Sequence, residues 1–372
     1  MNNRRMFMFE IIRGAAAILV ALIVAMVFIF ICSDKPFEAL RYMLVAPLIT
    51  NGSISMNSIY TILAAMTPII FTGLAVCVMF SSNQFNLGGE GCVMLGGFVA
   101  ALVGIYWSTG TYLDIVIAVL VASAACAAVL YIPAVLKVKL GASEMVSSLM
   151  MNYIIMYVVL HFLNHVFADG SKGSVQTFPF AATAKIPQLV AGGSKLTWGF
   201  LIALLFTLLV ALFMYRMRWG YSIRMIGINE NFAKYSGMKV GAVIILSQVI
   251  GGFLSGMGGA IEVLGRYETF LWRDLPGHGW TGITVAILAK NNPIFIPVAA
   301  FFISYLNRGC TLMATYCDVP SEMVDIIQAV IFLFFAAEKF LAKYRQKLVV
   351  AGAKEEIAQK TASTPKAEGG EA

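Results

Sequence analysis

Few residues in this chain could carry chemistry, and most of them stand alone inside apolar stretches. Glu90 is the clearest. It lies in Asn86-Leu87-Gly88-Gly89-Glu90-Gly91, where glycines permit close backbone approach and an irregular helix start. Asn86 and Glu90 are four residues apart and share a face if a helix begins early enough. An ionisable group inside an apolar helix is costly, so it faces a cavity or a partner. Glu90 therefore has two readings: part of a gated polar path, or a carboxylate that satisfies a buried helix end. Glu144, Ser148 and Asn152 recur every four residues and form one polar stripe, facing either a path or a neighbouring helix. His161 and His165 share that spacing, but no third ligand or HExxH pattern accompanies them, and an interfacial or packing role is favoured over a metal. Gln248 precedes Gly252, Ser255, Gly256 and Gly259, whose spacing is that of close helix packing. Asp325 and Gln328 are three apart and could line the outer half of a path. Glu262 and Glu268 read as boundary residues.

The missing patterns narrow the chemistry further. No GxxxxGK[ST] loop occurs, so the chain carries no phosphate-binding loop of its own. No GxSxG or paired catalytic carboxylates are present, and no catalytic or metal-ligating set is assigned. Cys77, Cys92 and Cys126 lie in apolar runs and read as packing residues. Cys310 and Cys317 fall near an expected outer loop, where a disulfide is allowed but spacing alone does not establish it.

The elements that hold these residues follow from composition. Of 372 residues, 60% are apolar and 12% charged, about half the roughly 25% charged usual in soluble domains. Mean hydropathy is +0.84. These figures exclude an ordinary soluble enzyme, a disordered protein and a secreted disulfide scaffold. They define an all-α, polytopic membrane protein. A membrane helix needs roughly 20 apolar residues. Candidates are 14–31, 59–80, 87–106, 112–136, 145–167, 196–215, 240–264, 280–289, 293–306 and 323–340. That is about ten, the first read as an uncleaved helix rather than a signal peptide. Residues 280–289 are too few to span alone. They are flanked by Gly277, Gly279 and Gly282 and by Asn291-Asn292-Pro293, which predicts a broken or re-entrant helix.

Domain organisation reads as a cytoplasmic N-terminus over 1–13, a membrane domain over 14–342 and a cytoplasmic, disordered tail over 343–372. With the N-terminus inside, about 18 of the 26 basic residues fall on the inner side. Both termini are then cytoplasmic. The net charge of +7 is thus an orientation signal and implies no nucleic-acid partner. The inner loop 216–239 is the most basic. Asn229 is a good helix cap, Gly237 a good stop, and a short helix from Glu230 to Ser236 would present Phe232, Ala233 and Tyr235 for docking into a groove of a soluble partner. An ordinary amphipathic inner loop is the plainer reading.

Four blocks resemble the permease subunits of ABC importers of the branched-chain amino acid and simple-sugar type, specifically the nucleoside-like branch. Phe85-Asn86-Leu87-Gly88-Gly89-Glu90-Gly91 is similar to F-N-I-G-x-E-G. Glu144 through Met151-Asn152-Tyr153 is similar to N-E-x-x-x-x-x-M-L-N-Y. In R-x-x-G-x-N-P-x-A-A-x-Y-x-G, Arg224, Gly227, Asn229, Ala233, Tyr235 and Gly237 match, while Glu230 and Phe232 replace a Pro and an Ala. Gly279-Trp280-Thr281-Gly282 through Asn292-Pro293 is similar to G-F-D-G through N-N-P, with Thr281 in place of Asp.

The resemblance implies a permease in a bacterial plasma (inner) membrane, paired with a second permease, a related but different chain. A cytoplasmic ABC ATPase and an extracytoplasmic solute-binding lipoprotein complete the assembly. ATP and Mg would be used by the ATPase, with no cofactor in this chain. Asn86, Glu90, Asn152, Gln248, Trp280 and Gln328 are the expected solute path, Trp280 being able to stack on a base ring. Arg224, Gly227, Asn229, Ala233, Tyr235 and Gly237 are the expected ATPase coupling residues. Alternatives are a permease for simple sugars or branched-chain amino acids and an ion-coupled secondary transporter using Glu90 or Asp325. A membrane-embedded enzyme lacks the motifs it would need.

Overall fold

A computed structural model describes residues 35–50, 53–107, 109–170, 173, 175–190 and 195–317, with isolated positions within 23–30 and 326–330. The chain divides into two units, Met1–Ala39 with Cys317–Ala372, and Leu40–Tyr316. The candidate helices at 14–31 and 323–340, with Asp325, Gln328 and the tail, lie outside the described residues, isolated positions aside.

A short amphipathic helix, α1 (Pro36–Leu44), opens on Pro with Glu38 in its first turn and Arg41 in its last, charges placed to suit the helix dipole. A two-residue ribbon follows, β1 (Ile49–Thr50) antiparallel to β2 (Ser53–Ile54). The rest is helical: α2 (Met56–Phe80), α3 (Gly89–Tyr106), α4 (Leu113–Leu140), α5 (Glu144–His165), α6 (Gly199–Arg216), α7 (Arg218–Ile228), α8 (Glu230–Tyr235), α9 (Val240–Arg266), α10 (His278–Leu288) and α11 (Ile296–Tyr316). Among the described residues, seven helices are long and apolar enough to cross a membrane: α2 to α6, α9 and the stretch Pro293–Tyr316.

α9 lies at the heart of the larger unit, packed on α4, α3 and α2. Its small residues permit this. A Cβ on Gly256 would lie 2.7 Å from the Cys126 side chain of α4, and one on Gly252 would lie 2.6 Å from the Cys126 carbonyl oxygen. Such spacing lets helix backbones approach without a gap, as the Gly252/Gly256 repeat predicts. The α4–α5 turn uses Gly141 at φ +67°, a left-handed stop open to glycine, and is closed by a Lys137–Glu144 ion pair of 2.9 Å.

Two expectations need correction, and one open question is settled. The helix predicted over 293–306 continues to Tyr316. Asn307-Arg308 interrupts the hydropathy but not the backbone, because Gly309 sits against Met43 and Cys310 and Met313 are buried. Cys310 is consequently a helical, unbridged thiol, and no Cys310–Cys317 disulfide is present. The segment 216–239 holds two helices where the sequence predicts only the short one from Glu230 to Ser236, since Gly220, Ile223 and Ile226 bury one face of α7.

Candidate functional site

The chain leaves α2 and runs without regular structure from Gln84 to Leu87 before α3 begins. Buried backbone of this kind needs partners outside itself. Asn86 supplies one: its Oδ1 accepts from the Gly88 N–H at 2.7 Å, and its Nδ2 donates to Oε1 of Gln248 on α9 at 2.5 Å. α5 supplies the others. Ser148 Oγ accepts from the Leu87 N–H at 2.9 Å, and Asn152 Nδ2 donates to the Leu87 carbonyl at 2.9 Å. Asn152 Oδ1 also accepts from the Gly91 N–H at 2.9 Å. Asn86, Glu90, Asn152 and Gln248 are thus gathered into one buried cluster around the start of α3.

One detail departs from expectation, and one open alternative is decided. α3 starts at Gly89, so Asn86 precedes it and shares no helical face with Glu90. Ser148 and Asn152 turn toward α3 and its leader, so the α5 stripe meets a neighbouring helix, and Glu144 pairs with Lys137.

Glu90 reaches across to α10. Its Oε1 accepts from the Gly277 N–H at 2.5 Å, and its Oε2 accepts from Gly279 N–H at 2.6 Å and Trp280 N–H at 3.2 Å. Helix starts leave N–H groups without intrahelical partners, and this carboxylate takes three of them. Gly277 adopts φ +82° just before the helix, a conformation that favours glycine. Thr72 holds the opposite side, its Oγ1 donating to the His278 carbonyl at 2.9 Å. α10 has 11 residues, about 17 Å in length, against a hydrocarbon core of about 30 Å. Its start lies beside Thr72, about 12 Å before the end of α2. Its far end is met by Cys77, whose thiol donates to the Asn291 carbonyl at 3.0 Å. The Trp280 side chain is 40% exposed. Thr72 was not foreseen, Gly277 was read only as a flank of the short helix and Cys77 only as a packing residue: each sits in an apolar or glycine-rich run with no spacing signal for a bond to a distant segment.

The second group lies on α7 and α8. Asn229 caps α8, its side chain accepting from the Phe232 N–H at 3.0 Å, and Gly237 follows it at φ +80°. Ala233 is buried and anchors the helix, while Tyr235 is 91% exposed and Phe232 is also exposed. A Cβ on Gly227 would collide with the Ser81 carbonyl oxygen, so α7 rests directly on the end of α2. The Arg224 guanidinium lies 5.2 Å from the centre of the Tyr215 ring. Five of the six expected coupling residues therefore shape this surface, and Tyr235 projects from it.

The exposed His161 and His165 rings lie 5.0 Å apart. Among the described residues, no three His, Cys, Asp or Glu side chains are grouped to hold a metal ion. A polar recess of about 440 Å³ beside Lys185, Arg266 and Glu268 lies away from the cluster.

Long apolar helices, a half-helix held by a buried carboxylate and an exposed two-helix surface define a multi-pass helical membrane protein. Residues 58–336 match the family described as branched-chain amino acid transport system / permease component, and the chain belongs to that family. It is a transport permease component rather than an enzyme. It is 31% identical to the guanosine ABC transporter permease protein NupP of Bacillus subtilis, over 77% of this chain and 83% of that one. It is 28% identical to the nucleoside ABC transporter permease protein NupB of Lactococcus lactis, over 77% and 81%. The glucose ABC transporter permease protein TsgB13 of Haloferax volcanii is 27% identical over 88% and 87%. No solved structure matches the chain.

Proposed function

We propose that this chain forms one half of the membrane path of an ATP-driven importer for nucleosides in a bacterial plasma membrane. The observation that carries the solute choice is the likeness to NupP and NupB across most of each chain. The other half is a related second permease, and an extracytoplasmic lipoprotein delivers the solute. A cytoplasmic ABC ATPase docks on α8, where Tyr235 and Phe232 project from a helix anchored by Ala233. Mg and ATP belong to that ATPase. Both termini face the cytoplasm, with about ten spans in all, a reading supported by the distribution of basic residues. Trp280, exposed at the start of α10, is offered as an aromatic surface for a base ring.

The glucose relative supports a second reading, a sugar path through the same fold. Reconstitution in proteoliposomes with the ATPase and the binding protein separates the two. ATP should stimulate uptake of nucleosides above that of sugars and branched-chain amino acids. Absence of stimulation with every nucleoside would sink the solute choice. Uptake abolished by an uncoupler at constant ATP would instead favour an ion-coupled transporter.

A further inference from the structure

Backbone N–H groups at a helix start carry about half a positive charge together and form a ready anion site. In membrane transporters, half-helix N-termini of this kind are commonly aimed at an anionic part of the solute. At α10 that position is already filled from within the chain. Both oxygens of Glu90 are engaged by Gly277, Gly279 and Trp280, and the side chain is 1% exposed. The fit is close, because a Cβ on Gly279 would lie 2.5 Å from the Glu90 nitrogen and 2.6 Å from its Cα. On the other side Gly282 packs against Thr72, which also binds the His278 carbonyl. α10 is therefore gripped between α2 and the first turn of α3.

We propose that Glu90 is a resident anion: its carboxylate occupies the anion site at the start of α10 and is the positioning residue that sets α10, and with it Trp280. The Trp280 N–H is held by Glu90 while its ring is turned to an exposed surface, so the carboxylate fixes where the ring stands. The proposal concerns how α10 is held, and it stands whichever solute is carried.

Cys77 provides a native reporter, since its thiol is buried against the segment that follows α10. Cys92 and Cys126, buried between α3 and α4, report on the surrounding fold. The full chain in native membranes is treated with N-ethylmaleimide, and modification of each cysteine is followed by mass spectrometry. Glu90→Ala removes the anion and leaves space for a small one. Cys77 should then react about tenfold faster or more, the scale of one lost charge-assisted hydrogen bond, with Cys92 and Cys126 still protected. Added formate should restore protection, and neutral formamide should not. Glu90→Gln keeps the volume but turns an amide donor toward N–H donors. It should raise Cys77 reactivity and ignore formate. If Glu90→Ala exposes Cys92 and Cys126 as well, Glu90→Gln decides: faster Cys77 labelling supports the proposal and unchanged labelling overturns it. Equal rescue by formate and formamide, or unchanged Cys77 in both variants, also overturns it.

Discussion

Gly279 and Asn152 show how little latitude the polar cluster leaves. A methyl at Gly279 would fall within van der Waals contact of the Glu90 backbone, where nothing flexible can give way. Gly279→Ala should therefore cost roughly 1–3 kcal/mol of stability, as overpacking does. Thermal unfolding of the purified protein in detergent checks this, and uptake should fall with it. Asn152 serves two backbone groups of the irregular α3 leader. Asn152→Ala strands both the Leu87 carbonyl and the Gly91 N–H, at roughly 1–3 kcal/mol for each buried group left unmet. A melting temperature equal to that of the parent chain would show that these bonds are replaceable. The amides near Glu90 are thus first a way of building a non-helical segment inside a bundle. Any contact they make with solute is an addition to that duty.

At the scale of elements, the proposed docking of an ATPase on α8 would separate folding from coupling. Tyr235 is almost wholly exposed, so Tyr235→Ala should leave stability within about 0.5 kcal/mol. It should nevertheless weaken co-purification of the ATPase and lower ATP-driven uptake. Asn229→Ala removes the cap from the Phe232 N–H and should cost about 1 kcal/mol, read as a lower unfolding midpoint. Much of this element was legible in advance, because a cap and a left-handed glycine are local signals that residue types announce. The long helices were legible for a similar reason, since uninterrupted apolar runs need no tertiary context. The short α10 was also foreseen, from its glycine and Asn-Pro flanks. The end of α11 was not, because Gly309 meets Met43 only once the chain is folded. Nor was the direction of the α5 stripe, since periodicity gives a face without saying what covers it. Glu90 is the sharpest case. Its type and setting declared a buried demand for partners, but those partners lie far along the chain in a segment with no periodic signal.

For the molecule as a whole, the proposed orientation places the Lys137–Glu144 turn and the α7–α8 surface on the same, inner side. A cysteine introduced at Tyr235 should react with a membrane-impermeant maleimide only after the cells are opened. Reaction in intact cells would invert the topology and remove α8 from reach of a cytoplasmic ATPase. The same orientation puts the start of α10 within the membrane and its far end toward the inner side, where the end of α2 also lies. Movement imposed on α7 would then reach α2 through the contact of Gly227 with Ser81, and α2 grips α10 through Thr72.

The bond between Glu90 and Gly277 also bears on how the protein is made. The two residues are 187 positions apart. At a synthesis rate of roughly 5–20 residues per second, the carboxylate waits on the order of 10–40 s before its partners emerge. Glu90 stands in the first turn of α3, and an ionisable group at membrane depth is costly until it finds partners. The nascent chain therefore passes through a stage in which α3 is poorly suited to lipid. Chains that stop before Gly277 should be marked for proteolysis even though most of their helices are complete, so quality control at the ribosome would sense this one late bond.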